Sequence, residues 1–206
     1  DLDGTLTDPF EGITNSIVYA LGKFGITVDD KKDLIDFIGP PLVDSFGKFY
    51  GFDSEKSVKA VEYYREYFSV KGIYENSVYE DVVLVLSKLK SDGKILVLAT
   101  SKPEEYAVRI LEKFDLGKYF DFVAGATMDN TRSYKADVIA YAIESCGIED
   151  KTEALMIGDR KYDVEGAKIN GLKSAGVTYG YGSRAELVSS SADYILDSPL
   201  EILNIK

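Results

Sequence analysis

The chain has 206 residues, a formal net charge of −11 and no histidine. A hydrophobic fraction of 45% is enough for a packed core and excludes a disordered composition. The absence of histidine removes the commonest general base and zinc ligand, so any chemistry depends on carboxylates, lysine, arginine, hydroxyl groups or an oxygen-ligated cation such as Mg²⁺.

Composition also limits the partners and the compartment. The acidic charge disfavours a nucleic-acid polymer as partner. No apolar run approaches the ~20 residues of a membrane span and no signal peptide is recognisable, so we expect no membrane association. The single cysteine, Cys146, cannot form an internal disulfide, which favours a cytoplasmic protein. We expect a monomer or a weak dimer.

The chain opens with two aspartates, Asp1 and Asp3, separated by one leucine. On a strand such residues face the same side, ~7 Å apart, and two like charges there require a cation or a shared proton. Gly4 and Thr5 follow as turn residues, which places the pair at the C-terminal end of a strand. The body of that strand would lie upstream, so we expect the sequence as given to omit a few native N-terminal residues.

The next segment has helical patterns and no strand pattern. Residues 12–25 carry an apolar helical face that ends near a glycine. Residues 32–52 predict two short helices broken at 39–41, where a glycine precedes two prolines. A long helix is predicted over 54–72, with Ser54 as its N-cap.

The remainder alternates short apolar strands with amphipathic helices, which is typical of βαβ units in a parallel sheet. The predicted strands are 94–101, 120–127, 154–159, 173–180 and 192–197. We therefore predict an α/β protein: a Rossmann-like parallel-sheet core of residues 1–10 and 79–206 with an inserted all-helical cap domain, 11–78.

Polar residues follow the predicted strands, and the carboxyl ends of parallel strands meet at one edge of a sheet. They are Asp1 and Asp3; Thr100, Ser101 and Lys102; and Asp159, Arg160 and Asp163, while Lys135 lies at the start of a helix predicted between the last two groups. Taken singly, each is also explained as a helix cap, a turn residue or a solvated side chain. Together they favour a site where carboxylates bind a divalent cation while lysine and hydroxyl groups bind phosphoryl oxygens.

These residues carry a resemblance that spans essentially the whole chain. The stretches DLDGT (1–5) and GDRKYD (158–163), with Thr100 and Lys135 between them, resemble the four motifs of the haloacid dehalogenase superfamily. The helical segment is similar to the cap of its phosphoglycolate-phosphatase-like branch. The shorter strings FIGPPL, YREYF, ATSKP and GYGS resemble bacterial phosphoglycolate phosphatases and 5′-nucleotidases.

The resemblance implies hydrolysis of a phosphate ester of a small molecule. Asp1 would be the nucleophile that forms an aspartyl-phosphate. Asp3 would protonate the leaving group and then activate water. Thr100, Ser101 and Lys135 would bind phosphoryl oxygens, although Ser101 stands where the family usually has asparagine.

The resemblance also implies Mg²⁺ as the cofactor. The Asp1 side chain, the Asp3 backbone carbonyl and the Asp159 side chain would bind the ion. Asp163 would support the ion through water or orient Lys135.

The substrate is left open. Lys48 and Arg65 in the predicted cap would suit a short anionic substrate, whereas Tyr64 would suit a nucleoside monophosphate through ring stacking. Helix packing also explains Tyr64 and its neighbours Tyr63 and Tyr67.

Three interpretations compete. The first is a Mg²⁺-dependent phosphatase for a small phosphorylated metabolite, either phosphoglycolate-phosphatase-like or a 5′-nucleotidase. The second is a sugar phosphomutase of the same fold. The third is a phosphorylated signalling receiver, which the large helical insert and the second aspartate, Asp3, disfavour.

Overall fold

The structure is a computed structural model that describes residues 1–205. These residues divide into two compact units: a core unit, Asp1–Asp8 with the chain from Val78 onward, and a helical unit, Pro9–Ser77. Within the described chain, every helix is too short or too polar to cross a membrane.

The helical unit is built from α-helices and two 3₁₀ turns. Its elements are α1 (Phe10–Gly22), a 3₁₀ helix (Lys31–Phe37), α2 (Leu42–Tyr50), α3 (Ser54–Phe68) and a 3₁₀ turn (Gly72–Tyr74). The predicted N-cap of α3 is wrong by one residue. Asp53 is the cap, because its carboxylate accepts the Lys56 N–H at 2.8 Å, and Ser54 is the first helical residue.

The core unit alternates strands and helices. Its elements begin with β1 (Thr7–Asp8), which pairs with a short strand β2 (Ser77–Val78) where the chain returns. Then follow α4 (Val82–Ser91), β3 (Val97–Pro103), α5 (Glu104–Lys113), β4 (Phe122–Ala126), α6 (Lys135–Cys146), β5 (Leu155–Gly158), α7 (Lys161–Asn170), β6 (Lys173–Val177), α8 (Arg184–Ser189) and β7 (Tyr194–Leu196).

The longer strands pair in parallel, which confirms the predicted α/β class. β3 pairs with β4, and β6 lies between β5 and β7. The backbone nitrogen of Asp1 donates to the Ile157 carbonyl at 2.9 Å, so the first residues run beside β5. This contact brings Asp1 to the strand that ends in Gly158.

A cluster of mostly small apolar side chains joins the strands to α6 and α7. Its buried members are Ala99, Ala124, Val138, Ile139, Ala142, Met156 and Ala167. Alanine on β3 and β4 lets α6 approach the sheet closely, and burial of this face supplies the main driving force for the packing. The packing fixes Lys135, the first residue of α6, at the carboxyl edge of the strands.

Candidate active site

The first turn of the chain is held tightly against Asp159. The Leu2 carbonyl accepts the N–H groups of Leu6 at 2.8 Å and Thr7 at 3.0 Å. Gly4 has φ = +82°, and a Cβ on it would lie 2.2 Å from Oδ2 of Asp159. Only glycine fits this position, since both the backbone conformation and the space exclude a side chain.

Lys135 connects the predicted nucleophile to the GDRKYD stretch. Its Nζ lies 2.7 Å from Oδ1 of Asp1 and 2.8 Å from Oδ1 of Asp163, and it donates to the Ala99 carbonyl at 3.1 Å. All three side chains are at most 7% exposed. The three partners match the three hydrogens of an ammonium group, so Lys135 has a fixed direction.

Asp1, Asp159 and Asp163 form an acidic cluster, with one oxygen of each within 4.8 Å of the others. Asp159 is fully buried; its Oδ2 accepts the Tyr181 N–H at 2.7 Å, whereas its Oδ1 has no hydrogen-bond partner. Burial, and then the charge of Asp163, raises the pKa of Asp159 to about 7. A buried carboxylate oxygen without a partner is costly. Because a hard divalent cation binds such oxygens, the cluster fits Mg²⁺.

Asp163 is held from two sides. Its Oδ2 accepts the Arg160 N–H at 3.0 Å in the first turn of α7, and its Oδ1 faces Lys135. Glu186 fixes the same turn, because its Oε1 accepts from Nε of Arg160 at 3.0 Å and from the Lys161 N–H at 2.8 Å. The sequence does not indicate Glu186 as a site residue, since it lies on α8 and outside every motif.

The carboxylate of Asp3 pairs with a different lysine, Lys102. Its Oδ2 lies 2.7 Å from Nζ of Lys102, whereas its Oδ1 is buried without a hydrogen-bond partner. Thr100 is 1% exposed, and its Oγ1 accepts the Lys102 N–H at 3.2 Å. Ser101 between them is half-buried. Lys102 lies in the predicted strand-end group, but nothing in the sequence indicates its pairing with Asp3.

Three tyrosines lie beside the acidic cluster. The Tyr179 hydroxyl donates to the Thr5 carbonyl at 3.1 Å, and the Tyr181 hydroxyl donates to the Asp8 carboxylate. The rings of Tyr79 and Tyr179 meet edge to face with centroids 5.3 Å apart. Burial is the largest cause that raises the pKa of all three phenols. The string GYGS contains one of these residues, Tyr181, but its pattern gives no sign of these contacts.

The three predicted cap residues lie in the helical unit. Tyr64 is 5% exposed and its ring stacks on Phe68 with centroids 5.2 Å apart, which favours helix packing over a stacking surface for a base. Lys48 is exposed, with Nζ 4.8 Å from the centre of the Phe49 ring. Arg65 is half-buried on α3. Their contact with a substrate stays a prediction.

The chain is similar to several known proteins. Residues 1–177 match the family described as haloacid dehalogenase-like hydrolase. A 5′-nucleotidase from Pseudomonas aeruginosa is 44% identical over 187 residues, which cover 91% of this chain and 84% of that protein. The tyrosine-protein kinase PtkA from Mycobacterium tuberculosis is 35% identical over 95% of this chain, which spans 66% of that protein.

A solved structure supports the same assignment. The crystal structure of a "predicted phosphatase" from Clostridium acetobutylicum is 50% identical, covers all of this chain and 96% of its own, and superposes with a TM-score of 0.96. The family match, the nucleotidase relative and this structure point in one direction. The chain therefore belongs to the haloacid dehalogenase-like hydrolase family, as a phosphatase.

Proposed function

We propose that this phosphatase is a Mg²⁺-dependent phosphomonoesterase that hydrolyses a small phosphorylated metabolite through an aspartyl-phosphate on Asp1. The observation that carries the proposal is the position of Lys135, with Nζ 2.7 Å from Asp1 and 2.8 Å from Asp163, next to a cluster of three carboxylates. A buried cation between two buried acids is suited to bind the charge of an incoming phosphoryl group. We place the enzyme in the cytoplasm, and we assign residues 11–78 as its helical cap domain.

Each side chain has a distinct part in this reaction. Asp1 attacks phosphorus, and Lys135 with the Thr100 and Ser101 side chains binds the phosphoryl oxygens. Asp3 protonates the leaving group and later takes a proton from water. Asp1, Asp159 and the Asp3 carbonyl would hold Mg²⁺, which would supply positive charge to neutralise the phosphoryl group.

Asp163 would act on this machinery from outside the reaction centre. Its bond to the Arg160 N–H and its ion pair with Lys135 support a role in orienting the lysine. The carboxylate also lies within the acidic cluster, which allows support of the ion.

Two substrate classes are supported by different observations. Lys48 and Arg65 in the helical unit would suit a short anionic ester such as phosphoglycolate. The relative from Pseudomonas aeruginosa, named a 5′-nucleotidase, favours nucleoside 5′-monophosphates. The relative named a tyrosine-protein kinase raises a third outcome, transfer of a phosphoryl group to tyrosine.

Phosphate release from a panel of esters tests the proposal. Phosphoglycolate, nucleoside 5′-monophosphates and sugar phosphates are each incubated with protein and Mg²⁺, and with protein in chelator. We expect phosphate release that chelator abolishes and that Asp1→Asn reduces by ~10³-fold or more. A sugar phosphomutase would instead isomerise its substrate and need a bisphosphate activator.

Two results would contradict the proposal. One is unchanged turnover in chelator or in Asp1→Asn. The other is stable transfer of label from γ-labelled ATP to tyrosine without release of inorganic phosphate.

A further inference from the structure

We propose that Lys102 is a positioning residue for Asp3: its ammonium group binds one carboxylate oxygen and leaves the other directed to the leaving group. The inference rests on the proposed phosphatase function, in which Asp3 is the general acid and base. Lys102 lies in the string ATSKP, but the resemblance gives this lysine no role in the reaction.

The two carboxylate oxygens of Asp3 have different surroundings, because only one of them pairs with Lys102. Nζ of Lys102 lies 2.7 Å from Oδ2, with the lysine side chain 5% exposed and the aspartate side chain 13% exposed. Oδ1 is buried and has no hydrogen-bond partner. Lysine is rarely buried this deeply unless it is paired, and moving either partner would leave a buried charge uncompensated. The pair therefore fixes Oδ2 and leaves Oδ1 available for a proton.

A bulge in β3 sets the position of Lys102. Ala99 pairs with Ala124, and the next pair is Pro103 with Ala126, so three residues of β3 lie opposite one residue of β4. Inside the bulge the Lys102 N–H donates to Oγ1 of Thr100 at 3.2 Å. Bulges redirect side chains next to active sites. The distortion that places the phosphate-binding threonine also places the lysine.

Both steps of the proposed hydrolysis need an oriented Asp3 carboxyl group. In the first step an Asp1 oxygen bonds to phosphorus, the ester P–O bond breaks, and Oδ1 of Asp3 gives its proton to the departing oxygen. In the second step water attacks phosphorus, Oδ1 takes the proton of the water, and the bond from Asp1 to phosphorus breaks. Lys102 stays on Oδ2 and transfers no proton in either step.

A leaving-group comparison separates this role from a structural one. Phosphorylation of Asp1 is followed through kcat/KM for p-nitrophenyl phosphate, whose leaving group is stable without a proton, and for an alkyl phosphate, whose leaving group needs one. We expect Lys102→Met to lower kcat/KM by ~10²-fold for the alkyl ester and by less than ~3-fold for p-nitrophenyl phosphate. Adding Lys102→Met to Asp3→Asn should cause no further loss on the alkyl ester, because the two residues act as a unit.

Two more variants serve as controls for the leaving-group comparison. Lys118→Met is the matched control, since it removes an exposed ion pair with Asp115, and both rates should stay as in the wild type. Lys102→Arg keeps a cation at the site if Lys102→Met does not fold. It should show the same preference for the activated ester with a smaller loss, ~10-fold on the alkyl ester.

Distinct results would overturn the inference. Equal losses on both esters would make Lys102 a structural residue, and a rise in KM restricted to substrates with a second negative charge would make it a substrate contact. Absence of ester hydrolysis by the wild type would refute the proposed function itself, and the inference with it.

Discussion

The Tyr181 N–H donates to Oδ2 of Asp159 at 2.7 Å, while the phenol of the same tyrosine donates to the carboxylate of Asp8. One residue thus binds the acidic cluster through its backbone and the end of the first core segment through its side chain. A Cβ on the neighbouring Gly180 would lie 2.2 Å from the Gly4 carbonyl oxygen. The loop after β6 is therefore packed against the first turn without space for a larger residue.

Asp159 makes the stability of the metal-free protein depend on pH. Burial raises the pKa of Asp159 to about 7, against ~3.9 in an unfolded chain. The folded state therefore retains a proton that the unfolded state loses, and this contribution to stability is lost as pH rises from ~4 through ~7. We expect Mg²⁺, which binds the ionised form, to raise the free energy of unfolding more at pH ~8 than at pH ~5.

Urea unfolding in chelator and in Mg²⁺ at both pH values measures this effect. Asp159→Asn is the matched variant, since it keeps the shape of the side chain and cannot ionise. It should lose this pH-dependent contribution together with most of the stabilisation by Mg²⁺. An equal Mg²⁺ effect in the variant would exclude Asp159 as a ligand.

The buried phenol of Tyr181 should make the protein sensitive to alkali. Burial and the bond to Asp8 raise its pKa in the folded state, whereas the phenol ionises at pH ~10 in the unfolded chain. Its contribution is present below pH ~10 and is lost at higher pH, because the unfolded state releases the proton first. We expect Tyr181→Phe to lower the free energy of unfolding by ~1–2 kcal/mol at neutral pH and to reduce the decline above pH ~10.

Chemical unfolding across the alkaline range checks the prediction. Tyr74→Phe, at a position 51% exposed, is the control and should change stability by less than ~0.5 kcal/mol. A decline of wild-type steepness in Tyr181→Phe would show that the phenol does not contribute.

The strand-end residues could be predicted from the sequence because functional residues generally gather at the carboxyl ends of parallel strands. Parallel strands bring their carboxyl ends to one edge, so Asp1 and Asp159 could be placed together from the strand pattern, and Lys135 from the start of the helix predicted before Asp159. The position of the break at Gly39–Pro41 was equally predictable, since proline cannot continue a helix.

The contacts that the sequence did not reveal depend on finer geometry. Lys102 reaches Asp3 because of a register shift in β3, and no residue pattern encodes that shift. Tyr181 binds Asp159 through a backbone N–H, which every residue except proline has. Asp53 and Ser54 are both good N-caps, so only the structure decides between them.

Gly4→Ala tests the close approach of the first turn to Asp159. The substitution places a methyl group 2.2 Å from Oδ2 of Asp159 at φ = +82°. We expect a loss of ~2–5 kcal/mol of stability, from left-handed strain and overpacking together, and weakened Mg²⁺ binding. Calorimetric titration with Mg²⁺ and urea unfolding measure the two effects.

Gly25→Ala supplies the control, because Gly25 has φ = +73° and a Cβ added there would meet no neighbouring atom within 4 Å. Gly25→Ala introduces only the strain of the left-handed backbone conformation. It should lower the free energy of unfolding by ~1–2 kcal/mol without any change in Mg²⁺ binding. Equal losses in the two variants would mean that the first turn moves aside.

Lys135→Met should be costly because it leaves two buried acids without their cation. Lys135 is 5% exposed and pairs with Asp1 and Asp163 at 2.7 and 2.8 Å. We expect the free energy of unfolding to fall by ~3–5 kcal/mol in chelator and to recover in part in Mg²⁺, with no phosphate release at any Mg²⁺ concentration.

Lys90→Met is the control. It removes a pair of similar length, 2.8 Å to Asp121, but this pair is exposed and should contribute less than ~1 kcal/mol to the free energy of unfolding. Lys135 pairs with two buried acids, whereas Lys90 pairs with a single exposed acid. Equal losses would therefore contradict a buried, charge-balancing role for Lys135, and retained turnover in Lys135→Met would contradict its role in phosphate binding.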